Sequence, residues 1–288
     1  MKFGLRFCNT GAFVEPGPAI ELAEAAEEAG FESLWAIEHT VVPRGYAPNA
    51  PQVEGGKMAG GVEDVDMPDP IVWLSFVAAR TSRINVATGI LILPQHKPLH
   101  VAKQAATLHR LAGGRFMLGV GVGWMPEEFE ALGASFEHRG RFADEAIQAL
   151  RRLWADSPAE FHGAHVDFPP LYCEPRPAGG HIPIIVGGHT KAAARRAGRL
   201  GDGYFPARGA PADLFRIARQ AAEEAGRDPA GIESTASLPD DSAELSDYRK
   251  MGVDRVTVPV SAVTGMRTAV ASPEEVLSWK GFLEDWAA

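Results

Sequence analysis

Short apolar runs alternate along the chain with longer Ala-rich stretches whose apolar residues recur at helical spacing. Strand-like runs cover residues 2–8, 33–39, 84–94, 115–124, 182–188, 202–207, 232–238 and 254–260. Helical spacing covers 18–30, 69–81, 98–114, 141–154, 190–201, 211–226, 242–252 and 272–287. Strictly alternating β and α segments imply a parallel sheet, because parallel strands need a crossover between them. Eight such units in 288 residues predict an α/β fold, a single (β/α)8 TIM barrel spanning 1–288 as one domain. The helix-to-strand joints "EAGFESLWAI", "LAGGRFMLGV", "RLGDGYFPA" and "KMGVDRVTVP" resemble one another. In each, a Gly is expected to close the helix in the left-handed conformation.

Two segments break the rhythm. A long loop after strand two, residues 40–68, is too long for a simple βα connection and reads as a mobile lid, with a disordered insertion as the alternative. An irregular insertion before strand five, residues 159–181, is expected to form a small hairpin across the barrel mouth.

Composition narrows the classes. Hydrophobic residues make up 45%, enough for a large core, and the net charge of −9 argues against a broad nucleic-acid surface. Two cysteines are too few for a disulfide framework. No apolar run approaches the ~20 residues of a membrane span, so a soluble protein of a reducing cytoplasm is expected. The nine histidines are scattered, and no metal site is expected.

Barrel active sites form at the C-terminal ends of the strands, which directs attention to a few residues. Glu38 and His39 end strand two, where an imidazole can serve as acid or base. Gly89 interrupts a β-branched run in strand three and marks a bulge or a close backbone approach. Gly187 and Gly188 precede a helix that Thr190 can cap, a place where free N–H groups favour an anion. Arg176 and Arg208 are expected to add positive charge there. In "RFMLGVGVGW" the period of two puts Phe116, Leu118, Val120, Val122 and Trp124 on one face and Met117, Gly119, Gly121 and Gly123 on the other. Bulky residues favour the interior, so the first face is expected inward and the glycines against a helix. Glycines facing inward, opening a void for a ligand, is the second choice. Nucleotide-loop, zincin and nucleophile-elbow motifs are all missing from the sequence.

The segments "AEAAEEAGFESLWAIEH", "INVATGILILP", "GGRFMLGVGVGWMPEEFEALG" and "IPIIVGGHTKAAARRAGRLGDGYFP" together resemble the bacterial luciferase-like superfamily, and within it the coenzyme F420 (deazaflavin) oxidoreductases. The resemblance runs from Met1 to about Ala207. It implies F420, or alternatively FMN, bound at the C-terminal mouth, and hydride transfer to or from a small organic substrate. Glu38 and His39 would border the reactive ring, with His39 protonating the reacting oxygen and Glu38 orienting it. Thr88, Gly89 and Ile90 would form a bulge under the ring, which in the family often holds a non-proline cis peptide. Val122, Gly123 and Trp124 would contact the cofactor, and Gly187, Gly188, His189 and Thr190 would lie near its phosphate. Sugar-phosphate members carry an acidic residue where this chain has Trp124, which speaks against that substrate. An FMN-dependent monooxygenase served by a separate reductase, and a non-catalytic flavin-binding barrel, are the other readings. A homodimer is compatible with each of them.

Overall fold

The computed structural model describes residues 1–50, 54–260 and 270–287. Its strands are β1 (Lys2–Arg6), β2 (Ser33–Ala36), β3 (Asn85–Thr88), β4 (Leu91–Ile92), β5 (Phe116–Gly121), β6 (Ala159–His162), β7 (Asp167–Leu171), β8 (Ile184–Gly187), β9 (Gly203–Phe205), β10 (Glu233–Ser237) and β11 (Arg255–Pro259). The helices are α1 (Pro16–Ala29), α2 (Pro70–Ala78), α3 (Pro98–Leu111), α4 (Pro126–Ala131), α5 (Arg139–Ala155), α6 (Lys191–Leu200), α7 (Ala212–Glu224), α8 (Leu245–Lys250), α9 (Pro273–Leu277) and α10 (Lys280–Ala287).

All pairings around the main sheet are parallel, and the sheet closes on itself. β1 pairs with β2 and β11, and β3 and β4 both reach β5. β3 and β4 are one barrel strand interrupted at Gly89–Ile90, so the barrel has the eight staves the chain pattern predicts. The last predicted helix is divided into α9 and α10, and α4 is an additional short helix after β5.

The glycine joints hold with one exception. Gly30, Gly113, Gly114 and Gly252 have positive φ. Gly201 has φ −90° instead. It is small because a Cβ there would lie 3.0 Å from Val186 and 3.1 Å from the Ala197 carbonyl.

The facing of β5 corrects the first expectation. Phe116, Leu118 and Val120 belong to the layer shared with the helices, whereas Met117 packs with Trp35, Ala87, Ile185 and Phe205 inside the barrel. The glycines therefore point inward. Branched aliphatics do not dominate the interior, where Ile185 packs among Trp35, Met117 and Phe205. At its N-terminal end Arg255 makes two hydrogen bonds to Glu32, at 2.7 and 2.8 Å, and a third to Glu233. Trp35 stacks under that guanidinium, 5.3 Å from ring centre to Cζ. Charge and an aromatic plug close the bottom of the barrel.

The hairpin forms, but not across the mouth. β6 and β7 pair antiparallel, and β6 packs along α5. The Glu145 carboxylate of α5 accepts hydrogen bonds from the amides of Ala164, His165 and Val166 in the turn. The hairpin follows a helix C-terminus and precedes the start of β8, so connectivity roots it at the opposite end of the barrel.

Candidate active site

The first turn after β1 organises the rim. Phe7 has φ +64°, a conformation that residues with side chains seldom adopt. Beyond it, Asn9 is fully buried. Its amide donates to the carbonyls of Ile37 and Pro68 and its carbonyl accepts from Ile37 N, so one side chain ties both ends of the long loop. Arg6 lies in the barrel interior and donates to Ser237 at 3.0 Å. Burial lowers its pKa to about 10.

Glu38 and His39 both stand at the rim, yet they do not form a pair. Glu38 accepts from the Ile92 amide and lies 2.8 Å from His96 Nε2. His39 Nδ1 lies 2.8 Å from Glu128 Oε2, whose other oxygen accepts from Thr40 N at 2.8 Å. The expectation that Glu38 orients His39 is therefore corrected. Successive residues leaving a strand diverge to different sides, and each finds its own partner. A carboxylate oxygen accepts, so Nδ1 carries an N–H toward Glu128 and Nε2 is left facing its surroundings. Among the described residues, no hydrogen bond reaches that Nε2.

The inward glycines of β5 admit the interrupted third stave. Thr88 and the cis peptide Gly89–Ile90 lie directly against them. A Cβ on Gly119 would fall 1.9 Å from the Thr88 carbonyl oxygen, and one on Gly121 would fall 2.5 Å from Ile90 Cδ1. Gly187 of β8 is kept bare by the same side chain, at 2.6 Å from Ile90 Cγ2. Ile90 thus forms an apolar ledge over two glycines on adjacent staves. The Thr88 hydroxyl is fully buried and donates to Gly119 O at 2.6 Å, so its role is to tie staves together.

Gly123 leaves β5 with φ +73°, its Cβ position taken by Phe129 and Ile92. Trp124 then stands edge-on to His39, centroids 5.6 Å apart, and to Tyr46, 5.8 Å apart. Tyr46 belongs to the long loop but is only 1% exposed. Its hydroxyl accepts from Met58 N, and Lys57 covers its ring. Glu127 accepts from Ala47 N at 2.9 Å. Two successive carboxylates of α4 therefore hold the loop that runs over Trp124. Residues 51–53 of the predicted lid lie outside the described residues.

At β8 the predicted anion site is only partly open. Gly187 faces Ile90, and the Gly188 amide donates to Phe205 O. Thr190 caps α6 through Ala193 N at 3.1 Å. The exposed remainder is His189, Thr190 and the first-turn amides of Lys191 and Ala192, which have no partner among the described residues. Arg176 donates to Ala155 O at the C-terminus of α5, so it does not join this site. Arg208 follows β9 and is exposed.

Glu128, His96 and Tyr46 are absent from the sequence reading. Glu128 sits 89 positions from His39. The short helix opened by Pro126, with Glu127 and Glu128 in its first turn, is the local signal that marks it. A surface cleft of about 680 Å³ between α5 and β6, lined in part by Arg151, Arg152 and His162, is unconnected with the mouth. Among the described residues, no group of His, Cys, Asp or Glu is placed to hold a metal ion. Among them, no helix is long and apolar enough to cross a membrane.

Comparison with known proteins agrees with the fold. An F420-dependent glucose-6-phosphate dehydrogenase of Kineococcus radiotolerans is 30% identical over 277 residues, which is 91% of this chain and 74% of that one. Two solved structures share the fold. One is a monooxygenase from Streptomyces bottropensis, with a TM-score of 0.74 at 24% identity over all of both chains. The other is an F420-dependent secondary alcohol dehydrogenase in complex with an F420-acetone adduct, with a TM-score of 0.75 at 17% identity over 97% of each. The luciferase-like monooxygenase model matches residues 5–257. With that match across nearly all of the barrel, the chain belongs to the luciferase-like monooxygenase family.

Proposed function

We propose that this protein is an F420-dependent oxidoreductase that exchanges a hydride with a small organic substrate at the C-terminal mouth of the barrel. The observation that carries the reading is the His39–Glu128 pair, in which a buried carboxylate fixes one imidazole nitrogen and leaves the other for a substrate oxygen. The dehydrogenase relative supports the choice of deazaflavin. The residues present suit such a cofactor. Ile90 offers an apolar ledge for a flat ring, and the open amides of the first turn of α6, with His189 and Thr190, suit its phosphate. When bound, the deazaflavin supplies the acceptor or donor of a hydride.

The chain's own groups handle the proton. In oxidation, His39 Nε2 takes the proton of the substrate hydroxyl. In reduction, it returns a proton to the carbonyl oxygen. Glu128 holds the ring in the required orientation and tautomer, and Trp124 shields the reacting oxygen from water.

The family to which the chain belongs favours a second reading, an FMN-dependent monooxygenase supplied by a separate reductase. Titration of the purified protein with F420 and with FMN, followed by absorbance, separates the two. Saturable F420 binding, with turnover abolished in His39→Ala and cofactor affinity kept, is the expected result. Binding of reduced FMN alone, followed by oxygen consumption, would replace the first reading with the second. A barrel that binds either cofactor but never turns over would be non-catalytic.

A further inference from the structure

The rim also bears on the chemical class of the substrate, and this step rests on the proposed function. The open nitrogen of His39 is flanked by an aromatic wall, because Trp124 packs edge-on between His39 and Tyr46. Trp124 is itself half-buried, so one side of the indole remains for a ligand. A flat apolar group gains from such a surface both by burial and by ring–ring geometry.

The charges around this wall are mostly negative. Glu128 is buried at the rim against His39, Glu38 is paired with His96, and Oε2 of Glu127 is buried without a hydrogen-bond partner among the described residues. The ammonium beside the wall is already committed, since Lys57 pairs with Glu63 at 2.6 Å and covers the Tyr46 ring at 4.6 Å. The charge of Arg44, on the same loop, also helps hold the Glu63 carboxyl below its usual range. Arg6 lies below in the barrel interior, donating to Ser237. Arg208 follows β9, the stave next to β8, which leads into α6. Among the described residues, a phosphate placed beside Trp124 would therefore meet the carboxylates of Glu127 and Glu128 and no uncommitted ammonium, in a setting where like charges repel.

We propose that the substrate face of the mouth takes an uncharged aromatic alcohol or its carbonyl partner, stacked on Trp124 with its oxygen at His39 Nε2. Trp124 is then the residue that selects against sugar phosphates, so the substrate named for the Kineococcus relative does not carry over to this chain.

The test compares benzyl alcohol with glucose 6-phosphate as ligands of the F420-loaded protein. The readouts are the deazaflavin absorbance and ligand-observed saturation-transfer NMR. Benzyl alcohol is expected to saturate, to bind at least ~10-fold more weakly to Trp124→Ala, a loss in line with one aromatic contact, and to recover in Trp124→Phe. Glucose 6-phosphate is expected to give no saturable signal. Saturation by glucose 6-phosphate, equal benzyl alcohol affinity in Trp124→Ala, or no saturation by benzyl alcohol would each overturn the proposal. The NMR arm is repeated on FMN-loaded and cofactor-free protein. A failure to bind F420 then counts against the cofactor reading alone, while the alcohol-against-phosphate comparison is still decided.

Discussion

Glu128 Oε2 lies 2.8 Å from Nδ1 of His39, and both side chains are almost wholly withdrawn from solvent. A short helix that begins five residues after β5 thus reaches past the β3–β4 stave to hold the imidazole that follows β2. Glu128→Gln keeps the shape but removes the charge that favours one tautomer. Turnover is expected to fall about 100-fold, within the range contributed by positioned acid–base groups, with KM little changed and the pH profile displaced. An unaltered kcat and pH profile would reduce Glu128 to a structural latch for the amides of Thr40 and Val41.

The second imidazole–carboxylate pair concerns stability. Burial of His96 disfavours its charge, but the hydrogen bond and charge of Glu38 outweigh that, and its pKa is raised above 6.5. A raised folded-state pKa means that the folded protein binds the proton more tightly than the unfolded chain. The stabilisation is complete below about pH 6.5, the unfolded value, and is lost as pH rises through the folded one. Urea unfolding across that range should show wild-type stability declining toward alkaline pH relative to His96→Gln. Parallel curves for the two proteins would remove the linkage.

The bare staves make a prediction about size. A methyl on Gly119 would meet the Thr88 carbonyl at 1.9 Å, where backbone cannot yield cheaply. Gly119→Ala is expected to destabilise by about 3 kcal/mol, the upper range for overpacking. Gly281, in α10, has nothing within 4 Å, and Gly281→Ala should stabilise by about 0.5–1 kcal/mol. Denaturant midpoints of the two variants should move in opposite directions.

Thr190 joins stability to the proposed phosphate site. Its hydroxyl accepts from Ala193 N at the start of α6. Thr190→Ala should lose about 1 kcal/mol from the missing cap and weaken F420 binding, while Thr190→Ser should restore both. Restored stability with cofactor affinity identical in all three proteins would place the phosphate elsewhere.

Local chemistry determined much of this protein by itself. Apolar spacing and crossover logic are properties of short segments, and they specify the eight staves and the closed parallel barrel. Gly89, His39 and Thr190 were legible for the same reason, since a glycine inside a strand, an imidazole at a strand end and a hydroxyl before a helix each carry a local meaning. The facing of β5 was not legible, because all six of its residues are buried and a strand covered on both sides has no polar alternation to read. Closure of the barrel decided it, by bringing the Thr88 carbonyl and Ile90 against Gly119 and Gly121, where only glycine fits. The pairing of His39 with Glu128 rather than Glu38 was settled in the same way. Partners 89 residues apart are selected by how staves and loops meet in space, and nearness in sequence says little about which carboxylate a given imidazole will face.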